Sequence, residues 1–134
     1  MPVKRDEISF GTLVLYDQGE EFELAYDFVV RVGGDTVLIA PAGTRTDGAS
    51  IPRFFWRFIG PPMTGKYRQA AVIHDAAYTG VLKWRRGGAT IAYDRKSADA
   101  LFLQLMEALG VPWWRRTLMH KAVRWFGAKR WTDR

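Results

Sequence analysis

The chain contains no cysteine and only two histidines among its 134 residues. The lack of cysteine excludes a disulfide scaffold and a metal site built from thiolates. With two histidines and no His-x-x-x-His spacing, a zinc site is not expected either. No apolar run approaches the roughly 20 residues of a membrane span, and the first residues lack the apolar core of a signal peptide. We therefore expect a soluble protein that is made in the cytoplasm.

The residues that are abundant are apolar, aromatic and basic. Apolar residues make up 48% of the chain and aromatic residues 14%, which is typical of a folded protein. At this length one domain is predicted, over residues 1–134. The net charge is +6, and between Pro112 and Arg134 seven basic residues accompany a single acid. This segment suits an anionic partner, either lipid or nucleic acid, but a solvated helix face would have the same composition.

Alternating apolar residues predict β-strands in the first third of the chain. Residues 8–16 show a partial alternation, and residues 22–32 show a clear one. Gly33 and Gly34 can form a turn, after which residues 36–40 predict a third strand in an antiparallel hairpin. We therefore predict a β-meander of about three strands over residues 1–41.

Helical patterns dominate residues 42–134. Strands that come first and helices that come last favour the α+β class, with helices packed on one face of a small sheet. In the loop before the first helix, Ser50 precedes Pro52 in the pattern of a helix start, and Asp47 is a second candidate cap. About four helices are predicted, at residues 53–59, 69–78, 95–109 and 113–126.

A histidine and an aspartate interrupt the apolar helix at residues 69–78. Burying such groups is costly unless they have partners. Asp99, at the border of the apolar face of the next helix, can meet His74 if the two helices pack antiparallel. A carboxylate bonded to one ring nitrogen fixes the tautomer and leaves the other nitrogen free to accept a proton. Tyr78, one turn after His74, can support either the Asp99 or the Asp75 carboxylate through its hydroxyl. Asp75 beside the carbonyls of residues 60–65 would suit a hard cation such as calcium.

These motifs resemble the phospholipase A2 superfamily. The run His74-Asp75-Ala76-Ala77-Tyr78 is similar to its His-Asp-x-x-Tyr helix. Residues 98–102 are similar to the Ala-Asp-x-x-Phe pattern of its parvoviral capsid branch, and residues 58–61 to the Gly-Pro calcium loop of that branch.

The resemblance implies a calcium-dependent enzyme that attacks a lipid ester with activated water. His74 would be the general base and Asp99 its orienting partner. Asp75 and the carbonyls near Gly60 would bind calcium. The enzyme would act at an anionic phospholipid surface, which the basic C-terminal tryptophans also suit. Core packing and cation–π contacts would explain those tryptophans as well, and nucleic acid is the least favoured partner.

A second resemblance spans nearly all of the chain. Residues 41–53, 74–78, 98–99 and 122–127 resemble the bacteriophage and prophage family catalogued as domain of unknown function 1353. This resemblance implies synthesis in the cytoplasm of a bacterial host, a place in the virion and contacts with other virion proteins. The alternative to the hydrolase is therefore a phage structural or tail-assembly protein in which the His74 and Asp99 cluster is structural.

Overall fold

The computed structural model describes residues 7–17, 21–46 and 67–132. These residues form eight β-strands in two antiparallel sheets, three α-helices and a short 3₁₀-helix. The prediction of about three strands followed by about four helices is therefore wrong. The strands are β1 (Ile8–Phe10), β2 (Leu15–Asp17), β3 (Phe22–Leu24), β4 (Phe28–Val32), β5 (Thr36–Ala40), β6 (Arg45–Thr46), β7 (Lys83–Arg86) and β8 (Ala89–Thr90). The helices are α1 (Arg68–Tyr78), α2 (Arg95–Ala108), α3 (Trp113–Phe126) and the 3₁₀-helix Gly127–Arg130.

The larger sheet has the strand order β1-β4-β5-β7-β8. The hairpin predicted between residues 32 and 36 joins β4 to β5, and Gly33 takes a positive φ of 68° in its turn. Val30 pairs with Leu38, and Leu38 in turn pairs with Trp84 of β7. Because side chains alternate along a strand, one face of this sheet is buried, and β5 packs against α1.

The two long alternating patterns each divide into two strands in different sheets. Residues 8–16 contribute β1 to the larger sheet and the first residues of β2 to the smaller sheet, whose order is β2-β3-β6. Between β3 and β4 the chain bends where the Asp27 carboxylate accepts a hydrogen bond from the Ala42 amide at 2.8 Å. Alternation reports which face of a strand is buried and not which strand it pairs with, so the division could not be predicted.

The strands β7 and β8 form between the helices predicted at residues 69–78 and 95–109, where no strand was predicted. The Lys83–Arg86 segment is mostly exposed, with only Trp84 half-buried, so it lacks an alternating apolar pattern. Backbone pairing with the buried strand β5 nevertheless holds it in the larger sheet. The charged residues of β7 therefore give no strand pattern in the sequence, and this strand is defined only by its pairing with β5.

The three helices assemble around α1, in which every residue from position 70 to position 78 is buried. The helix α2 packs against both α1 and α3. It begins at Asp94, whose side chain accepts a hydrogen bond from the Ser97 amide at 2.8 Å. None of the helices in the described ranges has the length and apolar character of a membrane span. The helix predicted at residues 53–59 lies outside the described residues.

Candidate functional site

The side chains of His74 and Asp99 face each other between α1 and α2. The Nε2 atom of His74 lies 2.8 Å from Oδ1 of Asp99, and both side chains have 0% exposure. The rings of Tyr78 and Phe102 lie 4.2 Å and 4.6 Å from the imidazole, centroid to centroid. Packing and hydrogen bonding together therefore fix the orientation of the imidazole.

The Asp99 carboxylate receives donors at both of its oxygens. Tyr78 donates its hydroxyl to Oδ1 at 2.6 Å, while Arg124 of α3 donates to Oδ2 at 2.7 Å. Arg95 lies one turn before Asp99 on α2, with its guanidinium 3.6 Å from Oδ2. We call these five residues, His74, Tyr78, Arg95, Asp99 and Arg124, the Asp99 cluster.

Electrostatics keep Asp99 charged in spite of its burial. Burial alone would raise the pKa of this carboxyl, but the hydrogen bonds from His74 and Tyr78, with the Arg124 contact, lower the pKa below its ordinary value. For Tyr78, burial and the hydrogen bond to Asp99 raise the pKa of the phenol far above its usual range. Tyr78 is therefore a permanent donor and Asp99 a permanent acceptor near neutral pH.

The charge state of Asp99 determines the tautomer of His74. An ionised carboxylate only accepts hydrogen bonds, so Nε2 of the neutral imidazole must carry the proton. The other nitrogen, Nδ1, then holds a lone pair. It is buried and has no hydrogen-bond partner among the residues that the structure describes. The imidazole thus has a lone pair on Nδ1, while its Nε2 is held by the Asp99 carboxylate.

Arg95, Arg124 and Gly127 belong to this site and were not predicted as part of it. Arg95 also donates to the Val123 carbonyl at 3.1 Å and so joins α2 to the end of α3. Gly127 lies against Tyr78, because a Cβ there would be 2.6 Å from the phenol oxygen. The four-residue spacing between Arg95 and Asp99 could have indicated the first contact. The other two depend on how α3 packs.

Asp75 points away from the Asp99 cluster, toward the smaller sheet. Its Oδ2 accepts a hydrogen bond from the Thr46 hydroxyl of β6, and both residues are buried. They border a pocket of about 140 Å³, which we call the Asp75 pocket. Its lining residues are Glu21, Arg45, Thr46, Asp75, Tyr78, Thr79 and Arg130. Tyr78 thus contacts both regions, whereas His74 does not line the pocket.

The predicted calcium ligands are only partly described. Asp75 is a buried carboxylate with the hard oxygen atoms that calcium prefers, and it fits the role of one ligand. Gly60, and the loop residues Asp47 and Ser50, lie outside the described residues. Within the described ranges no three histidine or acidic side chains gather as a metal site would require.

The second histidine lies on α3. His120 is half-buried, and burial lowers the pKa of its imidazole while the Asp99 charge raises it. It carries no hydrogen bond to the cluster in the described residues and has no assigned role in the site.

Comparison with known proteins places this chain in a family. The family described as "Protein of unknown function (DUF1353)" matches residues 22–123. The chain belongs to this family. It is 38% identical over 122 residues to the uncharacterized protein y4jT of Sinorhizobium fredii (strain NBRC 101917 / NGR234), a match that covers 91% of this chain and 33% of that protein.

The chain therefore spans about a third of the length of that relative. The family match confirms the resemblance to domain of unknown function 1353, and the matched range contains His74, Tyr78, Asp75 and Asp99. No solved structure matches the chain. Neither match bears on a phage origin or on a likeness to phospholipases A2.

Proposed function

We propose that this protein is a hydrolase in which His74 is the general base for attack of water on an ester. The observation that carries the proposal is the asymmetry of the imidazole: Nε2 is held by Asp99 at 2.8 Å, and Nδ1 has no hydrogen-bond partner within the described ranges. A histidine that is oriented by a carboxylate and has one free nitrogen is suited to take a proton from water.

In the proposed reaction, His74 Nδ1 removes a proton from water as the water oxygen bonds to the ester carbonyl carbon. Asp99 stabilises the imidazolium that forms, and Tyr78 and Arg124 hold the carboxylate in place. The proton then passes from His74 to the alcohol oxygen as the ester bond breaks, with no covalent enzyme intermediate. Calcium held by Asp75 would polarise the carbonyl.

The substrate class that we propose is a phospholipid ester, as in the phospholipase A2 superfamily. Three features support it: the hydrogen bond between Tyr78 and Asp99, the bond between Nε2 and Asp99, and the position of Asp75 next to His74 at a pocket. The resemblance implies that His74 is the general base, that Asp99 orients it and that Asp75 is a calcium ligand. A hydrolase that is phage-encoded and virion-associated remains part of this proposal.

One observation favours a second candidate function. His74 and Asp99 have no solvent exposure, and both oxygens of the carboxylate are occupied by donors. Buried polar networks can serve to fix the packing of a core. In that case the protein is a non-enzymatic phage structural or tail-assembly component, and the Asp99 cluster holds three helices together.

The test is release of fatty acid from vesicles of phosphatidylglycerol and phosphatidylethanolamine, measured with calcium and with a chelator. His74→Ala should lower the rate by at least about 100-fold, because general-base catalysis contributes about 10² to 10⁴. Asp99→Asn should also lose activity. His120→Ala is the matched control, since it removes the other imidazole, and it should retain the rate.

Each variant must first show wild-type circular dichroism. The absence of fatty acid release by folded wild-type protein would favour the structural candidate. Release that persists in the chelator would retain the hydrolase and remove calcium from the mechanism. Equal activity of wild type and His74→Ala would exclude His74 as the base.

A further inference from the structure

The last helix exposes an unusual number of large apolar side chains. On α3, Trp113 is 69% exposed, Trp114 51% and Trp125 65%. The opposite side of the helix is buried against the core through Met119, Ala122 and Val123. Single exposed apolar residues are common, but three tryptophans on one helix of 14 residues call for a partner.

The spacing of these residues defines one continuous stripe. Trp114, Leu118, Lys121 and Trp125 follow one another at i, i+4, i+7 and i+11, which places them on one side of a helix. The two tryptophans at its ends lie about 16 Å apart along the axis, at about 1.5 Å per residue. We call these four residues with Trp113 the docking face.

The charge around the docking face has a single sign. Residues 113–130 contain six basic residues and no acid, and one of the six, Arg124, is paired with the Asp99 carboxylate. Lys121 is exposed within the stripe, and Lys129 is exposed beyond the end of the helix. The Arg115 guanidinium lies 5.2 Å from the centre of the Trp114 ring, which fixes a second cation beside the stripe. The complementary surface must therefore be negatively charged.

We propose that the docking face binds the surface of an anionic lipid bilayer, with α3 parallel to the membrane plane. Tryptophan rings are favoured at the boundary between headgroups and acyl chains, and lysine and arginine are attracted to anionic headgroups. A straight stripe with apolar ends and a central cation matches a flat surface of this chemistry.

Two other partners fit the docking face less well. Bases of a single strand stack on aromatic rings that lie close together, whereas Trp114 and Trp125 are about 16 Å apart. A second copy of the chain would bring two basic segments face to face, which repel each other. The inference rests on the exposure of the three tryptophans and Lys121 and on charge, whereas Leu118 is half-buried against the core. It therefore holds whether or not the protein hydrolyses lipid.

The experiment is co-sedimentation of the protein with vesicles of phosphatidylglycerol and phosphatidylcholine in equal amounts, compared with phosphatidylcholine alone. Trp114→Ala combined with Trp125→Ala should weaken binding to the anionic vesicles by at least about tenfold, because two interfacial rings are lost. The matched control replaces Tyr16 and Tyr26 by alanine. These two aromatic residues are 55% and 66% exposed, and they lie outside the docking face.

A charge reversal tests the electrostatic part. Lys121→Glu should weaken binding by at least about fivefold, since each basic residue at an anionic surface contributes about 1 kcal/mol, or about fivefold. Lys83→Glu on β7 changes the net charge equally and should have a much smaller effect. Equal losses from the two reversals would overturn the proposal, as they would indicate attraction by net charge alone.

Three further outcomes would also overturn it. These are unchanged vesicle binding in the double tryptophan variant, tighter binding of a single-stranded oligonucleotide that depends on the same tryptophans, and a dimer in solution that the variant dissociates. Vesicle binding by the wild type without release of fatty acid would overturn the proposed hydrolase and leave the docking face in place.

Discussion

His74 and Asp75 are neighbours on α1, yet they belong to two regions with different physical character. In the Asp99 cluster the side chains of His74 and Asp99 are fully buried, and the carboxylate accepts hydrogen bonds from donors on α1 and α3. In the Asp75 pocket the carboxylate meets a hydroxyl from a short strand, and the nearby Arg45 side chain is 68% exposed. The difference is one of access: side-chain contacts enclose His74 and Asp99, whereas Asp75 borders a pocket with an exposed lining residue.

The largest expected difference between the two regions is in stability. Asp99→Ala should lower the free energy of unfolding by about 3–5 kcal/mol, because it leaves the buried donors of His74 and Tyr78, and the part-buried Arg124, without their shared acceptor. Asp75→Ala removes the acceptor of the Thr46 hydroxyl and should cost about 1–3 kcal/mol. Urea denaturation of both variants measures the difference. Equal losses would show that the two carboxylates are held in the same way.

A smaller loss of stability is expected at Gly127, where the 3₁₀-helix packs against Tyr78 of the Asp99 cluster. Gly127→Ala places a methyl group 2.6 Å from the Tyr78 hydroxyl oxygen, so the phenol must move away from Asp99. Overpacking of this kind costs about 1–3 kcal/mol. The control is Gly34→Ala, because a Cβ there meets nothing within 4 Å. A thermal unfolding midpoint that is unchanged by Gly127→Ala would show that Tyr78 adjusts freely and is not fixed by the cluster.

On the pocket side, Thr46→Val removes the hydroxyl that binds Asp75 and leaves the shape of the side chain nearly unchanged. We expect a loss of about 1 kcal/mol, as is usual for one hydrogen bond between a neutral donor and a buried acceptor. If calcium binds at Asp75, the same variant should also weaken the protection that calcium gives against thermal unfolding. The absence of any such protection in the wild type would count against calcium at this pocket.

The Asp99 cluster could be predicted further than the pocket because of where its residues lie in sequence. His74, Tyr78 and Asp99 are on two helices whose apolar faces repeat clearly, so their directions follow from helical geometry. Arg124 could not be selected from the basic residues of α3 without knowledge of how that helix packs. Its role shows that the basic segment partly serves the core.

The pocket could not be predicted because it depends on short strands. Thr46 lies in β6, which has two residues and no periodic pattern, and it meets Asp75 only after the smaller sheet has formed. The same limitation explains the wrong strand count. Alternation in residues 22–32 is continuous through the bend that separates β3 from β4. Local patterns predicted the helices of the site well, whereas sheet pairing required long-range contacts.

The smallest expected effect is a dependence of the free energy of unfolding on pH, in which His120 and Asp99 act in different pH ranges. Burial lowers the pKa of His120, so the unfolded chain binds its proton more readily than the folded protein. Stability should therefore fall as the pH drops below about 6.5, by less than about 1.4 kcal/mol per pH unit. The lowered pKa of Asp99 acts in a separate window, below about pH 3.9. In urea titrations, His120→Gln should remove only the upper window. A slope near pH 6 that persists in this variant would assign that window to another group.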